Sequence, residues 1–123
     1  RISYDYCHRE CFVFARKGQI IRVIVNLVSN AIQALEDGGG YIRITLREEG
    51  GNYVVSIDDN GPGVKPEDEI KLFKPNFTTK SSGTGLGLAI CRNIIEQSGG
   101  KISYRRSELG GACFSFSLPE YNA

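Results

Sequence analysis

The chain has 123 residues, enough for one domain with a substantial hydrophobic core. Its 15 Lys and Arg residues nearly balance 14 Asp and Glu residues, and a net charge of +1 argues against a broad nucleic-acid-binding surface. No apolar run approaches the ~20 residues that a membrane-spanning helix requires, and no signal peptide is recognisable.

Two short strands are predicted at residues 2–6 and 11–14, with the only histidine, His8, in a charged turn between them. A single histidine in such a turn is most often a surface residue, so we assign it no role. The cysteines at positions 7 and 11 lack the second close pair of a zinc site, and the chain shows no disulfide framework, which favours a reducing cytosol. The chain contains no methionine, so we expect an excised domain or a processed product.

A long helix is predicted at residues 19–35, with one apolar side and one polar stripe. The apolar side consists of Ile20, Ile21, Ile24, Leu27, Val28, Ala31, Ile32 and Leu35. The stripe holds Asn26 and Asn30, four residues apart, beside Arg22, Ser29 and Gln33. Asparagine is a poor helix former, so two asparagines on one face suggest neutral oxygen ligands, with an ordinary solvated face as the alternative.

A β-hairpin is predicted at residues 41–57, and its second strand runs on into a polar turn. Alternation places Asp59 on the same side as Val55 and Ile57. A carboxylate on that apolar side needs partners, because an unpaired buried charge is very costly. Asp58 points the other way and is expected to be solvated, and taken alone an ordinary polar turn is the simpler interpretation.

The turn and the segment that follows it carry several further candidates. Gly61 and Gly63 allow positive φ and let a ligand approach the backbone closely. A short helix is predicted at residues 66–73, followed at residues 74–82 by an irregular polar loop of the kind that often forms a lid. Aromatic anchors, hydroxyls and a cation for this lid are supplied by Phe73, Phe77, Thr78, Thr79 and Lys80.

A glycine-rich turn at residues 83–88 leads into a second long helix that is predicted to run to residue 98. Such a turn at a helix N-terminus suits phosphate, although it matches neither the Rossmann pattern nor a P-loop. The chain ends in a hairpin of residues 101–105 and 112–118. Cys91, in the helix, and Cys113, in the last strand, are expected to be small buried residues.

An adenine nucleotide with a divalent ion would explain the asparagine stripe, the strand-end aspartate, the lid and the glycine turn together. The aspartate would accept a hydrogen bond from the purine amino group, and asparagine oxygen is a ligand that suits Mg²⁺. The lid and the helix N-terminus would hold the phosphates.

Residues 26–31, 59–63, 73–80 and 83–88 match, in order, the N, G1, F and G2 boxes of one family. Through them the chain, from about residue 11 to residue 119, resembles the catalytic ATP-binding domain of sensor histidine kinases, of the HATPase_c or GHKL type. The Asn-Ala-Ile-Gln-Ala segment and the short Thr-Thr-Lys lid are most similar to the nitrogen-regulation type of these kinases.

The resemblance implies an α+β two-layer sandwich, in which a mixed sheet of about five strands packs on three helices (the Bergerat or GHKL fold). It implies ATP and Mg²⁺ as ligands, with Asn30 coordinating Mg²⁺ and Asn26 in support. Asp59 would bind adenine and Lys80 the phosphates, so that catalytic roles fall to Asn26, Asn30 and Lys80. The implied nucleotide-binding residues are Asn26, Asn30, Asp59, Gly61, Gly63, Val64, Phe73, Phe77, Thr78, Thr79, Lys80, Gly83, Thr84, Gly85, Leu86, Gly87 and Leu88.

One position separates these kinases from related chaperone and mismatch-repair ATPases, which carry glutamate where Asn26 stands. An asparagine amide cannot accept the proton of an attacking water. The resemblance therefore implies transfer of the γ-phosphoryl group to a histidine on a separate dimerisation domain, with a response regulator downstream. This sequence lacks that histidine domain, so the chain is expected to be a monomer that binds Mg-ATP without autophosphorylation.

The sequence departs from the family pattern in four places. Arg16-Lys17-Gly18 replaces the usual aspartate near the start of the first long helix. Gln33 replaces a frequent phosphate-binding lysine, Asn76 interrupts the Pro-Phe-Phe of the lid, and Ala112 replaces a threonine that helps a water reach adenine. These departures leave open a nucleotide-binding relay module that has lost phosphotransfer. A serine kinase that also holds a sigma factor is a further alternative, although that class usually carries glutamate at the position of Asn26.

Replacing Asp59 with Asn is expected to weaken ATP binding by ~1.5–3 kcal/mol, the range for a hydrogen bond to a charged group. Calorimetric titration of both proteins with an ATP analogue measures the difference. An unchanged affinity would exclude Asp59 as the adenine-binding residue.

Overall fold

A computed structural model describes residues 2–5, 13, 15–35, 40–74 and 87–121. The helices and strands in chain order are β1 (Ile2–Asp5), α1 (Lys17–Ala34), β2 (Ile42–Glu49), β3 (Asn52–Asp59), α2 (Pro66–Glu69), α3 (Gly87–Gln97), β4 (Lys101–Arg106) and β5 (Ala112–Pro119). Within these ranges, no helix combines the length and the apolar character needed to cross a membrane.

The strands form one sheet in the order β1-β2-β3-β5-β4. β1 pairs with β2 in parallel, and the other neighbours are antiparallel. In the described part of the chain, this mixed five-stranded sheet and the three helices confirm the predicted α+β class. Both hairpins are confirmed. Strand β2 extends to Glu49 because its pairing with β3 continues up to the turn, and β3 extends at its other end to Asp59.

One face of the sheet carries the core. Ile57 lies between Ile44 and Phe114 in neighbouring strands, and alternation directs all three to the helices. Leu27 of α1 is fully buried there, which stabilises the fold by about 1.5–3 kcal/mol relative to an exposed position. Cys91 of α3 is also fully buried, as predicted.

The apolar side of α1 differs from the predicted one at three positions. The buried residues are Val23, Leu27 and Ala31, whereas Ile21 is 48% and Ile32 is 52% exposed. At about 100° per residue, Ile21 and Ile32 lie about 120–140° from Leu27, outside the arc that the sheet covers. The sequence pattern gave a wider apolar side than the sheet can bury, and it missed Val23.

Two shorter elements also differ from expectation. The helix predicted at residues 66–73 ends at Glu69, and the chain continues as turns. The helix begins at Pro66, and its first turn holds the acidic residues that favour a helix start. Val13 belongs to no strand, and the rest of the strand predicted at residues 11–14 lies outside the described residues, as does His8.

The backbone of Gly100, between α3 and β4, lies closer to β5 than a residue with a side chain would allow. A Cβ at this position would lie 1.8 Å from the carbonyl oxygen of Ser117. Replacing Gly100 with Ala is therefore expected to lower the free energy of unfolding by ~1–3 kcal/mol, the cost of overpacking, as measured by urea denaturation.

Gly18 provides the control, because a Cβ there would have no neighbour within 4 Å. Replacing Gly18 with Ala in the first turn of α1 is expected to raise the free energy of unfolding by up to ~1 kcal/mol. Equal destabilisation by the two changes would contradict the packing argument.

Candidate functional site

β3 ends at Asp59, whose side chain is held in a nearly buried position. The residue is 3% exposed. Its Oδ1 accepts hydrogen bonds from the backbone N–H of Gly61 at 2.9 Å and of Ala112 at 3.2 Å. Among the described residues, no hydrogen bond reaches Oδ2. Asp59 therefore has the partners that its burial requires, and its second oxygen can accept a hydrogen bond from a bound molecule.

The glycine turn after Asp59 lies between α1 and the turn that joins β4 to β5. A Cβ on Gly61 would lie 3.1 Å from the carbonyl oxygen of Ala34, at the end of α1. Gly63 has a φ of 75°, a conformation that side chains rarely adopt. The N–H of Val64 donates to the Tyr104 hydroxyl at 3.3 Å, which fixes the chain beyond the turn to β4.

The β4–β5 turn, residues 107–111, belongs to the same site, and sequence reasoning missed it. Gly111 donates its N–H to the carbonyl oxygen of Asp59 at 3.1 Å. A Cβ on Gly111 would lie 2.2 Å from Asp59 Oδ1, so only glycine fits at this approach. The adjacent glycines at positions 110 and 111 were the signal in the sequence, but a hairpin turn explains them equally well.

The expectation that Asp58 is solvated is wrong. Asp58 is 1% exposed, and its Oδ2 accepts a hydrogen bond from the Ser107 hydroxyl at 2.6 Å. The guanidinium of Arg43, on the neighbouring strand β2, lies 3.9 Å from the same oxygen. Alternation correctly puts Asp58 on the opposite face from Asp59, but Ser107 covers that end of the face.

The asparagine stripe of α1 lies beside α3. Asn26 and Asn30 are partly buried, and Asn26 Nδ2 donates to the sulfur of Cys91 at 3.7 Å. This contact occupies the amide nitrogen of Asn26 and leaves its oxygen available on the other side of the amide. The stripe therefore runs from α3 at Asn26 towards the glycine turn, which meets α1 at Ala34. Sequence reasoning assigned Cys91 to the core and missed this contact.

The described residues on either side of segment 75–86 pack against the body of the fold. Phe73 packs edge-on against Phe114 of β5, with ring centroids 6.3 Å apart. Gly87 begins α3, and the partly buried Leu88 packs against the core. The remaining predicted residues lie outside the described residues: Phe77, Thr78, Thr79, Lys80, Gly83, Thr84, Gly85 and Leu86.

The donor set around the stripe suits Mg²⁺ held jointly by protein and phosphate. The described residues contain no group of three or more His, Cys, Asp or Glu side chains able to enclose a metal ion. Mg²⁺ commonly keeps several waters and binds to one or two protein oxygens plus substrate phosphates. An amide oxygen from Asn30 fits that mode of binding.

Comparisons with known proteins identify relatives of this chain. Residues 15–122 match the HATPase_c family model, described as histidine kinase-, DNA gyrase B- and HSP90-like ATPase. The chain is 42% identical over 101 residues to the sensor histidine kinase ZraS of Escherichia coli K12, covering 82% of this chain and 22% of that protein. It is 37% identical over 113 residues to the adaptive-response sensory kinase SasA of Prochlorococcus marinus MIT 9313, covering 87% of this chain and 30% of that protein. The chain thus spans less than a third of these relatives.

Solved structures give the same result. The nucleotide-free catalytic domain of the histidine kinase ThkA superposes with a TM-score of 0.86 at 40% identity, covering 97% of this chain and 78% of that one. The histidine kinase ThkA in complex with the response regulator TrrA gives a TM-score of 0.82 at 36% identity, covering 98% of this chain and 34% of that one.

The two buried thiols, Cys91 and Cys113, are expected to make the fold less stable at alkaline pH. Burial raises the pKa of Cys91, against a smaller lowering by the Asn26 hydrogen bond, and burial also raises the pKa of Cys113. Each thiol holds its proton more tightly in the folded chain than in the unfolded chain, where the ordinary pKa is 9.0. The folded state therefore keeps its full stability below pH 9.0 and loses stability relative to the unfolded state as the pH rises beyond that value. We therefore expect the free energy of unfolding to fall above pH 9.0, by at most ~1.4 kcal/mol per pH unit for each thiol.

Urea denaturation between neutral pH and the alkaline range measures this slope. The matched variant replaces Cys91 and Cys113 with Ala, which removes both thiols and should make the alkaline slope shallower. Equal alkaline slopes for the unmodified chain and the double variant would contradict the role given to these two thiols.

Proposed function

We propose that this chain, which belongs to the HATPase_c family as a catalytic domain of the histidine kinase type, binds Mg-ATP. It would donate the γ-phosphoryl group to a histidine of a sensor kinase. The acceptor histidine would lie on a separate dimerisation domain of the same protein.

The arrangement of Asp59 is the observation that carries this proposal. Two backbone N–H groups occupy Oδ1, which fixes the carboxylate and leaves Oδ2 towards a ligand. The exocyclic amino group of adenine is a donor that suits this lone acceptor, and a hydrogen bond to a carboxylate is stronger than one to a neutral oxygen. Gly61 and Gly63 would admit the flat purine ring next to the backbone.

Asn30 and Asn26 would serve the metal and the phosphates. Asn30 would supply an amide oxygen to Mg²⁺, and Asn26, held by its contact with Cys91, would present its own oxygen to the metal or to its waters. When bound, Mg²⁺ neutralises charge on the phosphate oxygens and so lowers the cost of transfer. Neither asparagine can accept a proton from water, which favours transfer to another protein group over hydrolysis.

The phosphate end of the site is proposed from the family resemblance. Lys80 and the backbone at residues 85–87 would hold the phosphates under the lid. The described part of α3, Gly87–Gln97, follows this glycine-rich segment directly, and free N–H groups at a helix N-terminus attract anions. Phe73 would anchor one end of the lid through its contact with Phe114.

The wider setting is proposed as a two-component system. A response regulator would be the downstream partner, in keeping with the solved complex of ThkA with TrrA. We also propose a cytoplasmic location, which the free thiols of Cys91 and Cys113 support, and an affiliation with the nitrogen-regulation type of kinase, which the lid sequence supports.

Titration with a non-hydrolysable ATP analogue, with and without Mg²⁺, tests the proposal. We expect micromolar to sub-millimolar binding that Mg²⁺ strengthens, since the metal bridges Asn30 and the phosphates. Replacing Asn30 with Ala should remove most of the gain from Mg²⁺ while leaving Mg²⁺-free binding in place. Ser29→Ala is the matched control, because Ser29 is an exposed neighbour on the same helix.

A folded chain that binds no analogue at millimolar concentration would contradict the proposed function. Binding without phosphoryl transfer to a supplied cognate histidine domain would instead favour the relay module. The exposed Gln33, where many members carry a phosphate-binding lysine, is the feature that favours that second candidate.

A further inference from the structure

We propose that Asp58 and Ser107 form a positioning pair that holds the β4–β5 turn against Asp59 and thereby sets the preference of the site for adenine over hypoxanthine or guanine. This inference rests on the proposed function, because it takes Asp59 as the adenine-binding residue. Neither Asp58 nor Ser107 would touch the nucleotide, and their effect would pass through the turn.

The pair is a buried hydrogen bond between residues far apart in the sequence. Asp58 is 1% and Ser107 is 6% exposed, and the hydroxyl-to-carboxylate distance is 2.6 Å. A buried carboxylate that lost this donor would keep the thiol of Cys113, a weak donor on the paired strand β5, and the Arg43 guanidinium, 3.9 Å away. Because an under-satisfied buried charge is costly, Asp58 strongly favours the turn conformation that brings Ser107 to it.

Ser107 in turn controls the conformation of the whole β4–β5 turn. Its hydroxyl accepts a hydrogen bond from Leu109 N–H at 3.0 Å while donating to Asp58. Its backbone N–H donates to the Gly111 carbonyl at 2.8 Å, and its carbonyl accepts from Gly110 N–H at 3.0 Å. Ser107 therefore links the buried carboxylate, through its side chain to Leu109 and through its backbone to Gly110 and Gly111, to the rest of the turn.

The far end of the turn touches the adenine-binding carboxylate. Gly111 N–H donates to the Asp59 carbonyl at 3.1 Å, and the next residue, Ala112, donates to Asp59 Oδ1 at 3.2 Å. A Cβ on Gly111 would lie only 2.2 Å from that same oxygen, so the turn and the carboxylate are in direct contact. A small shift of the turn must therefore change the orientation of the Asp59 carboxylate.

A second tether runs between the same elements but lies in solvent. Arg43 pairs with Glu108, the residue after Ser107, and this pairing raises the pKa of Arg43 and lowers that of Glu108. The side chain of Glu108 is 69% exposed, and exposed pairs contribute little. The buried Asp58–Ser107 bond is thus the contact on which the position of the turn mainly depends.

The orientation of Asp59 bears on base selection for a chemical reason. Adenine presents an amino donor to Oδ2, whereas hypoxanthine and guanine present a carbonyl oxygen at the same ring position, which a carboxylate repels. That discrimination depends on a fixed direction of Oδ2, and Oδ2 is fixed only while both donors hold Oδ1. Loss of the Ala112 bond would let the carboxylate rotate and would weaken adenine binding selectively.

The test measures the ratio of dissociation constants for the β,γ-imido analogues of ITP and ATP, by calorimetry on the 123-residue chain. Ser107→Ala is expected to lower this ratio about fivefold, the factor that corresponds to one hydrogen bond. Ser107→Thr keeps a hydroxyl and should restore the ratio, and Asp58→Asn, which keeps an acceptor without charge, should give an intermediate one. Ser103→Ala, at an exposed serine of β4, is the matched control and should leave the ratio unchanged.

The ratio separates positioning from simple destabilisation. Partial unfolding weakens the apparent binding of both nucleotides by the same factor and leaves their ratio unchanged. If the unmodified chain prefers the ATP analogue and both Ser107→Ala and Asp58→Asn keep that preference, only the positioning role is overturned. A parent chain that binds neither analogue, or both equally, would overturn adenine recognition by Asp59 together with it.

Discussion

The arrangement of the site depends on one buried carboxylate oxygen. Asp59 Oδ1 accepts the backbone N–H groups of Gly61, in its own turn, and of Ala112, at the start of β5. These charge-assisted bonds allow the carboxylate to be buried, and they join the end of β3 to the beginning of the neighbouring strand. The same closeness requires glycine at position 111, where a Cβ would overlap the carboxylate.

Helix α1 connects the region around Asp59 to helix α3. Its last turn meets Gly61 at Ala34, and two turns earlier Asn26 contacts Cys91 of α3. Because Val23, Leu27 and Ala31 bury the adjacent side of the helix, the asparagine stripe cannot rotate away from the position between these contacts. The relative position of the proposed adenine and metal ligands thus follows from how one amphipathic helix packs on the sheet.

The two faces of the sheet have different roles. The apolar face supplies the core, through residues such as Ile57 and Phe116, and its end carries Asp59. The other face contains buried polar groups that bond to one another, including the hydroxyls of Ser56 and Ser115 at 2.9 Å. Asp58 belongs to this second set, so the dipeptide at the end of β3 links the apolar face, which carries the proposed adenine-binding residue Asp59, to the polar one.

The sequence by itself determined the periodic elements, the side of β3 on which Asp59 lies, and the order of four motifs that identify the family, because these features are local. It could not determine that Asp58 is buried, that Ile21 and Ile32 are exposed, or that Cys91 meets Asn26. Alternation and helical periodicity state which side a residue faces, whereas the segment that covers that side comes from elsewhere in the chain. The decisive partners are 49 residues apart for Asp58 and Ser107, 53 for Asp59 and Ala112, and 65 for Asn26 and Cys91. Only the tertiary structure brings them together.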